Sequence, residues 1–212
     1  MPNKKIVVLI SGNGSNLQAF IDLQNTEALN GQVVAVISNK PDVYGLHRAA
    51  KASIPAITVE HSQFDSREAF DASLLLEIDR FSPDLVILAG FMRILTAKFV
   101  THYRGRLLNI HPSLLPKYPG LHTHQRAIAA GDQCHGASVH FVTEELDGGP
   151  LIAQSKTQIE ENETELSLQK KVQNLEHILY PATANLFLNN KIRLMKDTVY
   201  FENEPLQENI FF

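Results

Sequence analysis

One cysteine, Cys134, stands in a chain of 212 residues, so no intrachain disulfide can form. That usage fits a reducing compartment, and the cytoplasm is the expected location. A basic excess is also lacking, since the formal net charge is -4 at neutral pH. Nucleic-acid binders usually carry a basic excess or stripe, so the balance argues against that class, although a local patch is compatible with it. Long apolar runs are missing. The run IVVLI at 6–10 is too short for a signal segment or a membrane span and reads as a buried strand. No internal repeat, low-complexity tract or linker interrupts the chain. Two Asn-x-Ser/Thr sequons, at Asn13 and Asn162, read as chance matches without a secretory signal.

The apolar fraction is 44%, ordinary for a globular chain. At this length folding should bury roughly 70% of the surface exposed by the unfolded chain, without a disulfide or metal staple. Apolar runs at 6–10, 33–37, 56–59 and 85–89 predict strands covered on both faces. Helical patterns lie between them: one from Leu17, one over 44–52, and one behind Asp65 and Glu68, read as a helix start. Strands alternating with helices at this spacing predict an α/β fold, a doubly wound, mostly parallel, Rossmann-like sheet with helices on both faces. The second half predicts a strand at 107–110, a fixed loop at 112–120 with three prolines, and a short helix at 126–130. Strands at 137–142 and 151–155, a helix at 165–179 ending near Pro181, and a hairpin at 192–201 follow. Residues from Glu204 are expected to fray. One domain over 1–212 is expected, with halves of about 1–100 and 101–212.

Three segments carry chemistry. The turn Gly12-Asn13-Gly14-Ser15-Asn16 lies between a strand and a helix. Glycine allows close backbone approach, and N–H groups at a helix start favour an anion such as phosphate. The dinucleotide fingerprint needs glycine where Leu17 stands, so NAD fits poorly. Asn16 reads as the helix cap. The second segment is Asn109-Ile110-His111-Pro112-Ser113. Residues two apart on a strand share a face, and ligands in open α/β sheets sit beyond the strands' carboxyl ends. An amide beside an imidazole suits acyl transfer. Ser113 leaves a hydrolase reading open, but weakly. The third is the stretch from Gly136 to Val142 followed by Asp147-Gly148-Gly149, which alone would read as a turn.

Taken together, SGNGSNLQA (11–19), AGFMRIL (89–95), NIHPSLLPKYPG (109–120), the stretch from Gly136 to Ile152 and QNLEH (173–177) resemble the folate-dependent formyltransferases. The resemblance runs in order over nearly the whole chain. It implies transfer of a formyl group from 10-formyltetrahydrofolate, as co-substrate, to the amine of glycinamide ribonucleotide. It implies no metal. Asn109 and protonated His111 would hydrogen-bond the oxygen that gains charge, and Asp147 would pair with His111 and fix its tautomer. Gly14, Ser15 and Asn16 would hold the substrate phosphate, with Arg67 adding a contact and Glu176 binding the ribose. Met92, Arg93, Ile94, Leu95, Asn109, Thr143, Glu144, Glu145, Leu146 and Asp147 would bind the folate. The resemblance also makes Leu115-Pro116 a candidate for a cis bond, with the trans form left open.

Alternatives remain. A deformylase of the same family uses water as acceptor, and a tRNA formyltransferase usually adds a C-terminal barrel. A non-catalytic phosphate-binding module would keep the glycine loop but have no use for Asn109, His111 and Asp147 together. The histidines at 122, 124 and 135, with Cys134, match no standard zinc spacing. His47, His61 and His102 are expected on the surface. Small-molecule substrates are the expected partners, without nucleic acid or membrane, in a monomer or weak homodimer. The start methionine and a tail beyond the last motif suggest a stand-alone protein.

Overall fold

In the computed structural model, which describes residues 4–212, one compact unit runs to Asn109 and a second runs from Ile110 to Phe212. The first is built on β1 (Lys4–Ile10), β2 (Gly31–Ser38), β3 (Ala56–Thr58), β4 (Leu85–Leu88) and β5 (Leu107–His111), whose last residues enter the second unit. Their order is β5-β4-β1-β2-β3, and every pairing is parallel. Residues Ile6 to Ile10 are fully buried, as a strand covered on both faces requires. The chain runs outward from β1 in one direction through β2 and β3, then returns to β4 on the other side. This reversal places the carboxyl ends of β1 and β4 at a switch point, where open α/β sheets bind ligands.

Helices α1 (Ser15–Asn25), α2 (Tyr44–Lys51), α3 (Arg67–Asp79) and α4 (Ala97–His102) connect these strands. The N-cap of α3 is Ser66, whose side chain accepts from the Ala69 N–H, so the cap lies one residue past the Asp65 expected. Serine fits the cap as well as aspartate does. The short α4 was not legible in the sequence.

The second unit carries α5 (Thr123–Ala129), the antiparallel pair β6 (Cys134–Phe141) and β7 (Leu151–Gln158), and the long α6 (Glu165–Leu188) packed on both. The strands β8 (Ile192–Met195), β9 (Thr198–Phe201) and β10 (Glu204–Pro205) form a small antiparallel sheet, and β11 (Ile210–Phe211) pairs parallel to β7.

Two expectations are corrected here. Helix α6 does not end near Pro181 but runs through it. Proline forgoes one backbone hydrogen bond, yet Leu179, Tyr180, Thr183, Ala184 and Leu188 remain buried along the same helix, and that burial outweighs the loss. The tail after Glu204 is not frayed. The Phe212 N–H donates to the Gln154 carbonyl, and Ser155 Oγ donates to the Phe212 carbonyl at 2.8 Å. Among the described residues, no helix is long and apolar enough to cross a membrane.

Candidate active site

The glycine loop follows β1. Gly14, not Asn16, is the N-cap of α1, with φ 73° and no side-chain cap. Asn16 lies in the first turn and is buried. The first turn carries no acidic residue of its own, and a helix N-terminus favours an anion. A Cβ on Gly14 would stand 2.8 Å from the Gly45 Cα. The loop is tied to α2 by the Gly45 N–H, which donates to the Gly12 carbonyl. Arg48 donates from Nε to the Asn13 carbonyl and from Nη2 to Asn13 Oδ1, each at 2.9 Å. Neither Gly45 nor Arg48 belonged to a motif read from the sequence.

The segment after β4 carries Met92, Arg93, Ile94 and Leu95. Met92 and Ile94 are 65% and 57% exposed, whereas Leu95 is buried. The Leu95 side chain therefore packs inside the fold. The Arg93 guanidinium lies over the Phe70 ring, 5.5 Å from its centroid. Both ends of the segment are held by buried side chains. Ser11 Oγ accepts the Met92 N–H at 2.7 Å, and Asp71 Oδ2 accepts the Thr96 N–H at 2.6 Å. Arg67 opens α3 with an exposed side chain 3.8 Å from Glu68.

Asn109 and His111 lie two apart near the end of β5, so they project to the same side of the strand. The His111 side chain is buried, and its Nδ1 stands 3.3 Å from Asp147 Oδ2. Its Nε2 faces the Tyr118 carbonyl at 2.8 Å. A carbonyl only accepts, so Nε2 carries a hydrogen. A neutral ring has no second N–H for the carboxylate, whereas a charged ring donates to both oxygens.

The loop from Pro112 to Gly120 closes over the same carboxylate, and the Gly120 N–H donates to Asp147 Oδ2 at 2.8 Å. The Leu115-Pro116 bond in this loop is cis. Asp147 itself has φ 52°. The turn around it needs glycine behind, because a Cβ on Gly149 would meet the Phe141 carbonyl oxygen at 1.8 Å. Ser113 is fully buried and donates to the Lys117 carbonyl at 2.6 Å. It is a loop brace rather than a nucleophile.

His140, on β6, was not singled out from the sequence. Its Nε2 lies 4.0 Å from Asp147 Oδ1, and its Nδ1 faces the Phe141 carbonyl. Burial pushes its pKa below the ordinary histidine value, outweighing the Phe141 carbonyl and Asp147. Of the remaining residues expected in the site, Thr143 is half-buried, Glu144, Glu145 and Leu146 are exposed, and Glu176 is half-buried on α6.

The other histidines divide. His47 and His102 are exposed, as expected. His61 is half-buried with its Nδ1 2.7 Å from the Asn39 carbonyl, which corrects the surface assignment. His124 and His135 are buried with ring centroids 5.1 Å apart. Among the described residues no three His, Cys, Asp or Glu side chains are grouped to hold a metal ion. Burial pushes His135 down to about 4, and His124 beside it adds to the shift. Burial also lowers His124.

The sign follows from linkage. A histidine whose folded pKa is depressed binds fewer protons folded than unfolded. Its contribution to stability is full above the unfolded value and is lost as pH falls toward the folded one. Stability should therefore decline from about pH 6.5 to about pH 4. Thermal unfolding of wild type and His135→Phe across this range checks it, with a flatter profile expected for the variant.

Comparison with known proteins places this geometry in a family. The formyl transferase family model matches residues 4–184. The chain is 54% identical over 201 residues to the phosphoribosylglycinamide formyltransferase of Escherichia coli K12, covering 95% of each. It is 47% identical over 188 residues to the trifunctional purine biosynthetic protein adenosine-3 of Drosophila melanogaster, covering 88% of this chain but 14% of that protein. A solved phosphoribosylglycinamide formyltransferase of Coxiella burnetii, in complex with CHES, superposes with a TM-score of 0.94 at 47% identity over 99% of both chains. The chain belongs to the formyl transferase family.

Proposed function

We propose that this chain transfers the formyl group of 10-formyltetrahydrofolate to the amine of glycinamide ribonucleotide. The products are formylglycinamide ribonucleotide and tetrahydrofolate, in the synthesis of purines. Overall likeness to the E. coli enzyme supports the substrate pair. One observation carries the chemistry: His111, Gly120 and Asp147, distant in sequence, meet at a single carboxylate oxygen.

In this reading the amine attacks the formyl carbon, and the carbonyl oxygen gains negative charge. Asn109 donates its amide N–H to that oxygen, and charged His111 supplies the second donor. The ring exchanges one of its present acceptors for the oxygen. Asp147 balances the imidazolium and fixes its orientation. The proton lost by the amine passes to the departing folate nitrogen. The same residues suit a water acceptor, so the alternative is a deformylase-like hydrolase. The glycine loop supports a phosphorylated acceptor, because a helix N-terminus favours an anion and the first turn of α1 carries no acid of its own.

Gly14, Ser15 and Asn16 take the phosphate, with Arg67 as a charge-assisted contact and Glu176 on the ribose hydroxyls. Met92 and Ile94 expose apolar surface, which suits a flat pteridine ring. Arg93, Leu95 and the run from Thr143 to Asp147 add polar and backbone contacts. The lone cysteine suits a reducing cytoplasm. We place the enzyme there as a monomer or weak homodimer acting on small molecules.

The test is absorbance of the tetrahydrofolate product with and without glycinamide ribonucleotide. Turnover should depend on the ribonucleotide. Equal rates without it would mean hydrolysis. Gly14→Val checks the phosphate assignment. The branched side chain meets a positive φ and the Gly45 backbone, so KM for the ribonucleotide should rise about tenfold or more. An unchanged KM would remove the loop from the phosphate site.

A further inference from the structure

We propose that Ser11 is a positioning residue that couples binding of the two substrates, by tying the anion loop after β1 to the apolar segment after β4. The inference rests on the functional reading above, which assigns those segments to the ribonucleotide phosphate and to the folate.

Ser11 is the first residue past β1 and is 7% exposed. Its Oγ donates to Asn39 Oδ1 at 2.5 Å and accepts the Met92 N–H at 2.7 Å. A hydroxyl has one hydrogen, and here it goes to Asn39. A lone pair is thereby aimed at Met92 and cannot swing away without breaking a second buried bond. Asn39 directly follows β2 and is itself buried. Its carbonyl faces His61 Nδ1 at 2.7 Å. Segments from the carboxyl ends of β1, β2 and β4 thus meet at one oxygen, at the switch point of the sheet.

The next residue, Gly12, begins the anion loop and is pinned to α2 through the Gly45 N–H. Met92 begins the exposed apolar segment, whose far end is pinned by Asp71 at Thr96. An anion that orders the loop after β1 orders Ser11 with it, and Ser11 holds the Met92 amide. The first ligand bears part of the ordering cost, so the second binds more tightly. Linkage makes the effect reciprocal. Ser11 touches neither reacting group in this scheme and acts through Met92.

Equilibrium titration tests it. Tetrahydrofolate, which has no formyl group to transfer, is titrated with and without saturating glycinamide ribonucleotide, and the reverse titration closes the cycle. Wild type should bind each ligand about tenfold more tightly when the other is saturating than when it is absent. Ser11→Ala should reduce this ratio to below about twofold, and Ser11→Thr, which keeps the hydroxyl, should retain most of it. A serine that only stabilises the fold would lower both affinities and leave the ratio intact. An unchanged ratio in Ser11→Ala overturns the inference, and so does a wild type that binds both ligands independently. If Ser11→Ala does not fold, Asn39→Ala removes the acceptor that aims the hydroxyl, and a retained ratio there overturns it equally. A wild type that binds neither ligand overturns the functional reading instead.

Discussion

Replacing Asp147 by Asn should lower kcat by on the order of 10²–10⁴-fold, with KM for both substrates changed far less. The substitution keeps size and shape. An amide oxygen can still accept the Gly120 N–H that now reaches Asp147 Oδ2, so the turn should persist. What is lost is the negative charge 3.3 Å from His111 Nδ1. The charged ring then has no counter-charge in a buried site, where an unpaired charge is unfavourable. The ring's remaining acceptor, the Tyr118 carbonyl, is satisfied by a neutral ring with its hydrogen on Nε2. The variant should therefore lose turnover while still binding both substrates. Steady-state kinetics with each substrate varied checks this. A KM that rises as far as kcat falls would make Asp147 a structural brace of the turn rather than the partner of His111.

His111→Ala and Asn109→Ala should each lower kcat by on the order of 10²–10³-fold, the usual effect of removing one donor to a developing oxyanion. Neither change should greatly weaken substrate binding, because the contact strengthens only as charge develops. Truncating His111 also leaves the Tyr118 carbonyl and Asp147 without the ring between them. Some loosening of the loop from Pro112 to Gly120 is expected with that variant and not with Asn109→Ala. Steady-state kinetics with both substrates varied separates kcat from KM. The double variant should be little worse than the worse single one, since donors acting on one oxygen are not additive. Near wild-type turnover in either single variant removes that residue from the chemistry.

The alternating strands of the first unit were legible because parallel strands covered on both faces leave continuous apolar runs, and 6–10 and 85–88 are such runs. The second unit was less legible. Its long helix passes through Pro181 because its buried stripe continues beyond the proline, a packing fact that local propensity does not carry. The tail was expected to fray as a chain end, yet it pairs with β7 through backbone groups and Ser155 Oγ, contacts that local sequence does not announce.

The site divides in the same way. The shared face of Asn109 and His111 was legible in their spacing, Asp147 entered only through the resemblance, and the structure brings Asp147 to 3.3 Å from His111 Nδ1. Arg48, Gly45, Ser11 and Asp71 were not legible. Each acts on a segment distant in sequence, and nothing in the local spacing around Arg48 points to the Asn13 carbonyl it holds. His140 lies inside the stretch from Gly136 to Val142, and the register shift between Val139 and His140 leaves its side unpredictable from strand alternation. Asn16 was misplaced as a cap because asparagine favours that position, whereas the left-handed backbone there selects Gly14.

The fate of the formyl carbon tests the central claim most directly. The chain is supplied with 10-formyltetrahydrofolate carrying carbon-13 in the formyl group, together with glycinamide ribonucleotide, and the products are followed by NMR. The account predicts that the label appears in the amide of formylglycinamide ribonucleotide, at the rate at which tetrahydrofolate forms. Label recovered as free formate, at a rate indifferent to the ribonucleotide, would contradict it.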